Sequence, residues 1–429
     1  MKTIKIEGID EYVYEGICEN GLRVYVWVQE KANSFKGTLT YLCGAEDIHF
    51  KKGDEEIHVP MGVAHFLEHI MCKDEENVSL LSKFQKNHAY SNASTYPDRT
   101  VYEFVGSNHL KENLNLLLDS IQTKEFNEHA FETERGPIIE EARIQSDNVN
   151  RLSLYGVNET LFQTYHNHVC GTGTKEDIEK ITLKDLQVFY QTFYHPLNSF
   201  LVVTGNVDPE EVFKIVLENQ KKKTFPTFIK PEKEVYQEPQ DIVIPEKKVS
   251  CNVEVPKTLI SIKVPIKSEA TNFDKILLLD SYSLLLEANY GVTSLYQEKF
   301  FEDKLGLSLD TQVYLERDYL VAQIVFRSEV PDKALESVIN QLHHLEYDEK
   351  DILRKVKAEI ANLVTNYEDV ENVNDYFVFS LTTFGQILTN EKAILENLTV
   401  SKVKELTQNI NSYPYSVFTL TPKKGLLGN

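Results

Sequence analysis

The sequence predicts an α+β protein made of two related domains. Three observations carry this: strand-like runs early in the chain give way to long helical patterns, a proline-rich stretch interrupts the chain near its middle, and beyond it the order of elements partly repeats. With 429 residues, 41% of them hydrophobic, the chain can bury two cores of ordinary domain size, about 100–200 residues each.

Segments 22–28 and 37–42 are β-branched and aromatic-rich with partial alternation, as expected of strands with one covered face. After Pro60-Met61-Gly62 the pattern over 63–71 is helical, and 91–94 and 100–105 read as two more strands separated by the turn chemistry of Pro97-Asp98. Apolar residues at Leu114, Leu117, Leu118 and Ile121 place a helix over 110–121, and helices are also expected over 128–144 and 183–193. A strand over 200–204 ends at Gly205. Each domain is therefore expected to be a mostly antiparallel sheet with helices packed on one face, not a doubly wound fold.

Between 221 and 248 the composition shifts to Lys, Pro, Glu and Gln, with Pro226, Pro231, Pro239 and Pro245 and little periodicity, which marks a linker. Before it, Ile181-Thr182-Leu183-Lys184-Asp185-Leu186 leads through a helix to the strand at Phe200. After it, Leu398-Thr399-Val400-Ser401-Lys402-Val403 leads through a helix to the strand at 416–420. The expected division is an N-terminal domain over 1–220 that holds the chemistry, a linker over 221–248, and a C-terminal domain over 249–429 of similar fold and without a metal site.

A net charge of -21 argues against nucleic acid as a partner, because phosphate binding needs clustered Lys and Arg. No run of about 18 apolar residues is present, so no membrane-spanning segment is expected. The opening residues Met1-Lys2-Thr3-Ile4-Lys5-Ile6-Glu7 lack the basic-then-apolar profile of a signal peptide, and the expected location is cytoplasmic. The five cysteines include no C-x-x-C pair and are expected to be reduced and buried. Cys72, three residues after His69, reads as core packing in preference to metal ligation.

The chemistry centres on His65-Phe66-Leu67-Glu68-His69. A helix turns about 100° per residue, so positions i, i+3 and i+4 share a face, and two imidazoles with a carboxylate between them can converge on one ion and a reacting water. This H-x-x-E-H order is the inverse of the commoner H-E-x-x-H zinc motif. Catalytic zinc also needs a third protein ligand and an open position. Acids for that role lie at 132–141, where Glu134 and Glu141 would share a face of an unbroken helix while Glu140 sits about 100° away. One of the pair could ligate and the other hold a ligand histidine from behind, and both assignments are open at this level. Pro137, between them, removes a backbone donor and disfavours helical geometry at Gly136, so a kink or a helix start is expected there.

A resemblance rests on Gly62-Val63-Ala64-His65-Phe66-Leu67-Glu68-His69, Ser91-Asn92-Ala93-Ser94-Thr95, Asp98-Arg99-Thr100-Val101-Tyr102, Glu134 and Glu141. It continues through Gly171, Phe189-Tyr190, Tyr194-His195-Pro196-Leu197-Asn198 and Val203-Thr204-Gly205-Asn206-Val207-Asp208. On these residues the chain resembles the pitrilysin-type inverzincin metallopeptidases, in the half-length subgroup of the mitochondrial processing peptidases and their bacterial relatives. The resemblance implies one Zn2+ per chain on His65, His69 and Glu141, Glu68 as general base, and Glu134 behind a ligand. It implies too that Asn92 and Ala93 lie on an edge strand that pairs with a peptide substrate.

The implied activity is that of an endopeptidase subunit, cutting peptides or leader segments in a chamber closed by a second subunit. Active members carry an Arg and a Tyr in the C-terminal domain that hold the substrate carbonyl, and here Glu302 and Leu309 stand at those positions. That departure implies a heterodimer with a paralogue supplying the Arg/Tyr pair, a homodimer being the alternative. The competing class is a non-catalytic structural or peptide-binding protein of the same fold.

Overall fold

The computed structural model describes residues 1–74, 78–123, 125–168 and 170–423, and these divide into two compact units. The sheet of the first unit has seven strands, in the spatial order Lys2–Ile6, Glu11–Ile17, Arg23–Val28, Ser199–Gly205, Phe35–Tyr41, Thr100–Gly106 and Ala89–Thr95. Only Arg23–Val28 and Ser199–Gly205 run parallel. Helices Val63–Met71, Leu110–Gln122, Leu183–Phe193 and Pro209–Gln220 bury their apolar stripes on one face, in a core that includes Leu39, Phe66, Phe104, Leu118, Phe189 and Val203.

Every residue of Phe35–Tyr41 is buried, because the other face of the sheet is covered as well. The helix Val370–Phe384 lies there, burying Val373, Phe377 and Leu381 along with a set of polar contacts. Thr38 Oγ1 donates to Asn374 Oδ1 at 2.5 Å, Asn374 Nδ2 donates to Thr204 Oγ1 at 3.1 Å, and Lys36 Nζ pairs with Asp375 at 2.6 Å and Glu103 at 2.9 Å.

The second unit repeats the plan. Its five strands lie in the order Glu246–Cys251, Tyr415–Pro422, Lys257–Pro265, Tyr319–Arg327 and Ser308–Glu316, again with only the first pair parallel. Order and direction match the last five strands of the first sheet. The paired helix starts seen in the sequence are also equivalent: Thr182 caps Asp185 N and Thr399 caps Lys402 N, each at the helix preceding the strand that pairs with the parallel neighbour. Helices Asn272–Tyr290, Leu295–Glu302 and Pro331–His343 pack on one face. Val157 and Leu161 of helix Val149–Leu161 cover the other, against Leu259, Phe418 and Leu420.

The units are not the two continuous halves expected. The first takes in 364–390 from the second half of the chain, and the second takes in 145–168 from the first half. Each sheet has a second face to cover, and the helix that covers it comes from the far side of the chain. The stretch 221–248 is mostly exposed and irregular but is tied at points: Glu232–Lys233 pairs with His49–Lys52, and Glu238 meets Lys263 in a fully buried ion pair at 2.7 Å. The change of unit falls between Val235 and Tyr236.

Candidate metal centre

The site is seated on helix Val63–Met71, whose entry is set by Gly62 at φ +90°. A Cβ there would lie 2.4 Å from the Thr172 carbonyl oxygen, so only glycine admits this approach of the 172–173 backbone. Phe66 stacks on Phe131 at a centroid distance of 4.8 Å, and the Arg135 guanidinium lies 4.7 Å from the Phe131 ring. Arg135 also donates to the carbonyls of Ile178 and Ile181. These contacts dock helix Glu128–Ser146 beside the histidine helix.

Helix Glu128–Ser146 continues through Pro137, so no helix starts there. Proline forfeits one intrahelical hydrogen bond, and the buried Ala130, Phe131, Glu134 and Ile138 hold the helix on both sides of it. Glu134 and Glu141 consequently reach the same histidine from one face of the helix, two turns apart.

Glu141 Oε2 lies 3.1 Å from His69 Nε2 and Glu141 Oε1 lies 3.6 Å from His65 Nε2. One donor atom from each of the three residues falls within 4.8 Å of the others. Metal–ligand bonds near 2.0–2.1 Å put the donors of a tetrahedral zinc about 3.3 Å apart, so this spacing and donor set fit zinc. Glu134 Oε2 sits 3.4 Å from the opposite ring nitrogen, His69 Nδ1, and its other oxygen accepts from Lys73 Nζ. The sequence reading assigned Lys73 no role, although it follows His69 at the same four-residue spacing that separates the histidines.

Contacts with His65 and then His69 hold the Glu141 carboxyl well below the usual carboxylate range, outweighing burial. Burial lowers the His69 pKa, but the Glu141 hydrogen bond and the charge of Glu68 raise it overall. The arrangement is one that a cation at its centre would relieve.

Glu68 faces the strand Ala89–Thr95, the outermost strand of the sheet, and accepts from Thr95 Oγ1 at 2.8 Å. In the sequence Thr95 stands only as part of a motif, with no local signal for this hydrogen bond. Asn92 and Ala93 pair with Glu103 and Tyr102 on their inner side and lie on the sheet edge, as expected. A cavity of about 180 Å³ joins Glu68 and Cys72 to Asn92 and Ala93 above a floor of Phe84 and Leu117. Cys72 is half-buried against the core and lies outside the three-ligand group. A larger cavity of about 350 Å³ lies in the second unit, lined by residues such as Tyr296, Lys299 and Asp351, and contains none of these side chains. Leu309 is buried in the second core and Glu302 is exposed at a helix end, so neither offers a carbonyl-binding donor.

Residues 55–173 match the family model described as insulinase (peptidase family M16), and residues 180–360 match the one described as the peptidase M16 inactive domain. The zinc protease YmfH of Bacillus subtilis is 29% identical over 416 residues, covering 95% of this chain and 96% of that protein. The zinc protease PqqE of Helicobacter pylori is 30% identical over 49% of this chain and 48% of that protein. In fold, an M16-like peptidase of Alicyclobacillus acidocaldarius superimposes with a TM-score of 0.89 at 22% identity, covering 96% of this chain and 98% of that one. The chain belongs to the M16 peptidase family, whose relatives here are zinc proteases.

Proposed function

We propose that this chain is the zinc-bearing subunit of an endopeptidase. His65, His69 and Glu141 hold the ion, Glu68 is the general base, and Glu134 fixes the His69 ring from behind. The observation that carries the reading is the convergence of both imidazole Nε2 atoms on Glu141, with Glu68 between them on the same helix and hydrogen-bonded to the edge strand. When bound, zinc in such a set polarises a carbonyl and makes water a nucleophile at neutral pH.

The chain's own residues do the rest. Edge strand Ala89–Thr95 offers its unpaired backbone groups to an extended peptide, so a substrate is held by its main chain near Asn92 and Ala93 with little demand on its sequence. A substrate side chain enters the cavity between Glu68 and the strand. Glu68, anchored at one oxygen by Thr95, takes the proton of the attacking water and returns it to the leaving amine. Glu134, shared between His69 and Lys73, keeps the His69 ring turned so that Nε2 faces Glu141.

Leu309 and Glu302 cannot hold the substrate carbonyl, and this supports a chamber closed by a second subunit that brings an Arg/Tyr pair, a paralogue in preference to a second copy. The substrates are then peptides or leader segments short enough to enter. Five thiols without a disulfide suit a reducing compartment, and we place the chain in the cytoplasm.

The M16 inactive-domain match favours a second reading, a non-catalytic peptide-binding or structural protein, but it covers 180–360 and not the site-bearing residues. Glu68→Gln separates the two. It should retain zinc by elemental analysis while peptide cleavage, assayed with the partner subunit, falls by at least about 10²–10⁴-fold. Cleavage undiminished in Glu68→Gln would overturn the mechanism, and wild-type protein that takes up no zinc would favour the structural reading.

A further inference from the structure

A second convergence of metal-ligating side chains lies on the hairpin of strands His49–Lys52 and Glu55–His58, outside the peptidase site. His49 and His58 are directly opposed across the strands, and Glu56 projects from the same face as His58, two residues away. His49 Nε2 lies 2.7 Å and His58 Nε2 3.9 Å from the same oxygen, Glu56 Oε1. The two rings stack with centroids 3.8 Å apart. One donor atom from each residue lies within 4.8 Å of the others.

The opposite nitrogen, His49 Nδ1, is 3.1 Å from a second carboxylate, Glu234. Glu234 immediately follows Glu232–Lys233, the short strand that pairs with Lys51 and Phe50. The plan is that of the peptidase site: two imidazole Nε2 atoms on one carboxylate, and another carboxylate behind one ring. There the roles belong to His65, His69, Glu141 and Glu134. A simple ion pair explains only part of it. A lone ion pair would need only one imidazole, whereas here both imidazole Nε2 atoms are gathered on the same carboxylate oxygen.

We propose that His49, Glu56 and His58 form a second metal site, for a divalent ion that accepts mixed nitrogen and oxygen ligands, Zn2+ in the first place and Ni2+ or Cu2+ by the general order of affinities. Glu234 orients His49 from outside, so the ion clips 232–234, the last residues of the first unit before the chain crosses to the second, onto the hairpin. Exposed ligands leave its remaining positions to water and make it the weaker and faster-exchanging of the two sites.

The test uses the full chain, stripped with a chelator and titrated with Zn2+. Wild type should bind two equivalents and His58→Ala one, while a His65→Ala/His69→Ala variant keeps the hairpin equivalent, so this inference stands or falls apart from the peptidase reading. His58→Gln guards against a folding artefact at His58→Ala, and thermal melts of the metal-free variants should match wild type. Amide exchange at 232–234 should slow on addition of zinc in wild type and not in His58→Ala. Equal stoichiometry in wild type and both His58 variants, or exchange at 232–234 that ignores zinc, would overturn the proposal.

Discussion

Thr95 Oγ1 holds one oxygen of Glu68, the proposed general base, from the edge strand proposed to receive a peptide; on that reading docking of a peptide and aim of the base are linked through one hydroxyl. Thr95→Val keeps the shape and removes the donor. Because a hydrogen bond to a charged group contributes about 1.5–3 kcal/mol, kcat should fall about 10- to 100-fold with KM little changed, and Thr95→Ser should restore it. Steady-state kinetics on a single peptide decide this, and a loss confined to KM would place Thr95 in substrate binding instead. His65, Glu68 and His69 were legible in the sequence because helical spacing alone puts them on one face. Thr95 was not, since its partner lies 27 residues away and no local pattern encodes a side chain meeting across a strand and a helix.

Among the elements, helix Val370–Phe384 shows how a polar helix face can be built into a fold. Asn374 accepts from Thr38 and donates to Thr204, whose hydroxyl in turn donates to the Val370 carbonyl. All three side chains are buried. Asn374→Leu, similar in size, strands the Thr38 hydroxyl and should cost about 1–3 kcal/mol, read as a lowered urea midpoint for the first unit. An unchanged midpoint would mean that the seam is dispensable. Helix Glu128–Ser146 gives the complementary lesson. Its Pro137 argued locally for a break, yet packing of Phe131 and Ile138 and the grip of Arg135 on Ile178 and Ile181 keep it continuous, and that continuity aligns Glu134 with Glu141.

At the scale of the molecule, the start of the stretch expected to be a linker is held by His195, and this contact should respond to pH. His195 Nδ1 accepts from Leu197 N at 3.1 Å, so Nε2 bears the hydrogen that is donated to the Pro226 carbonyl at 3.1 Å, and Phe228 stacks on the ring at 4.8 Å. Burial lowers the His195 pKa beneath its ordinary value near 6.5. A group whose folded pKa is depressed gives stability that is present above the unfolded value and lost as pH falls through the folded one, so wild type should lose stability from about pH 6.5 downward. His195→Gln should flatten that part of the profile in urea titrations from pH 7 to 5, and parallel profiles for the two proteins would exclude His195 as the cause. The sequence by itself determined the fold class, the duplication and the inverted zinc motif, because each is written in local periodicity and spacing that survive without knowledge of neighbours. Only the tertiary structure decided that each sheet borrows its second covering helix from across the chain, that Glu141 and Glu134 divide the two nitrogens of His69 between them, and that Thr95 holds Glu68. Those are contacts between residues tens to hundreds of positions apart, made by burial and hydrogen bonding after the elements have formed.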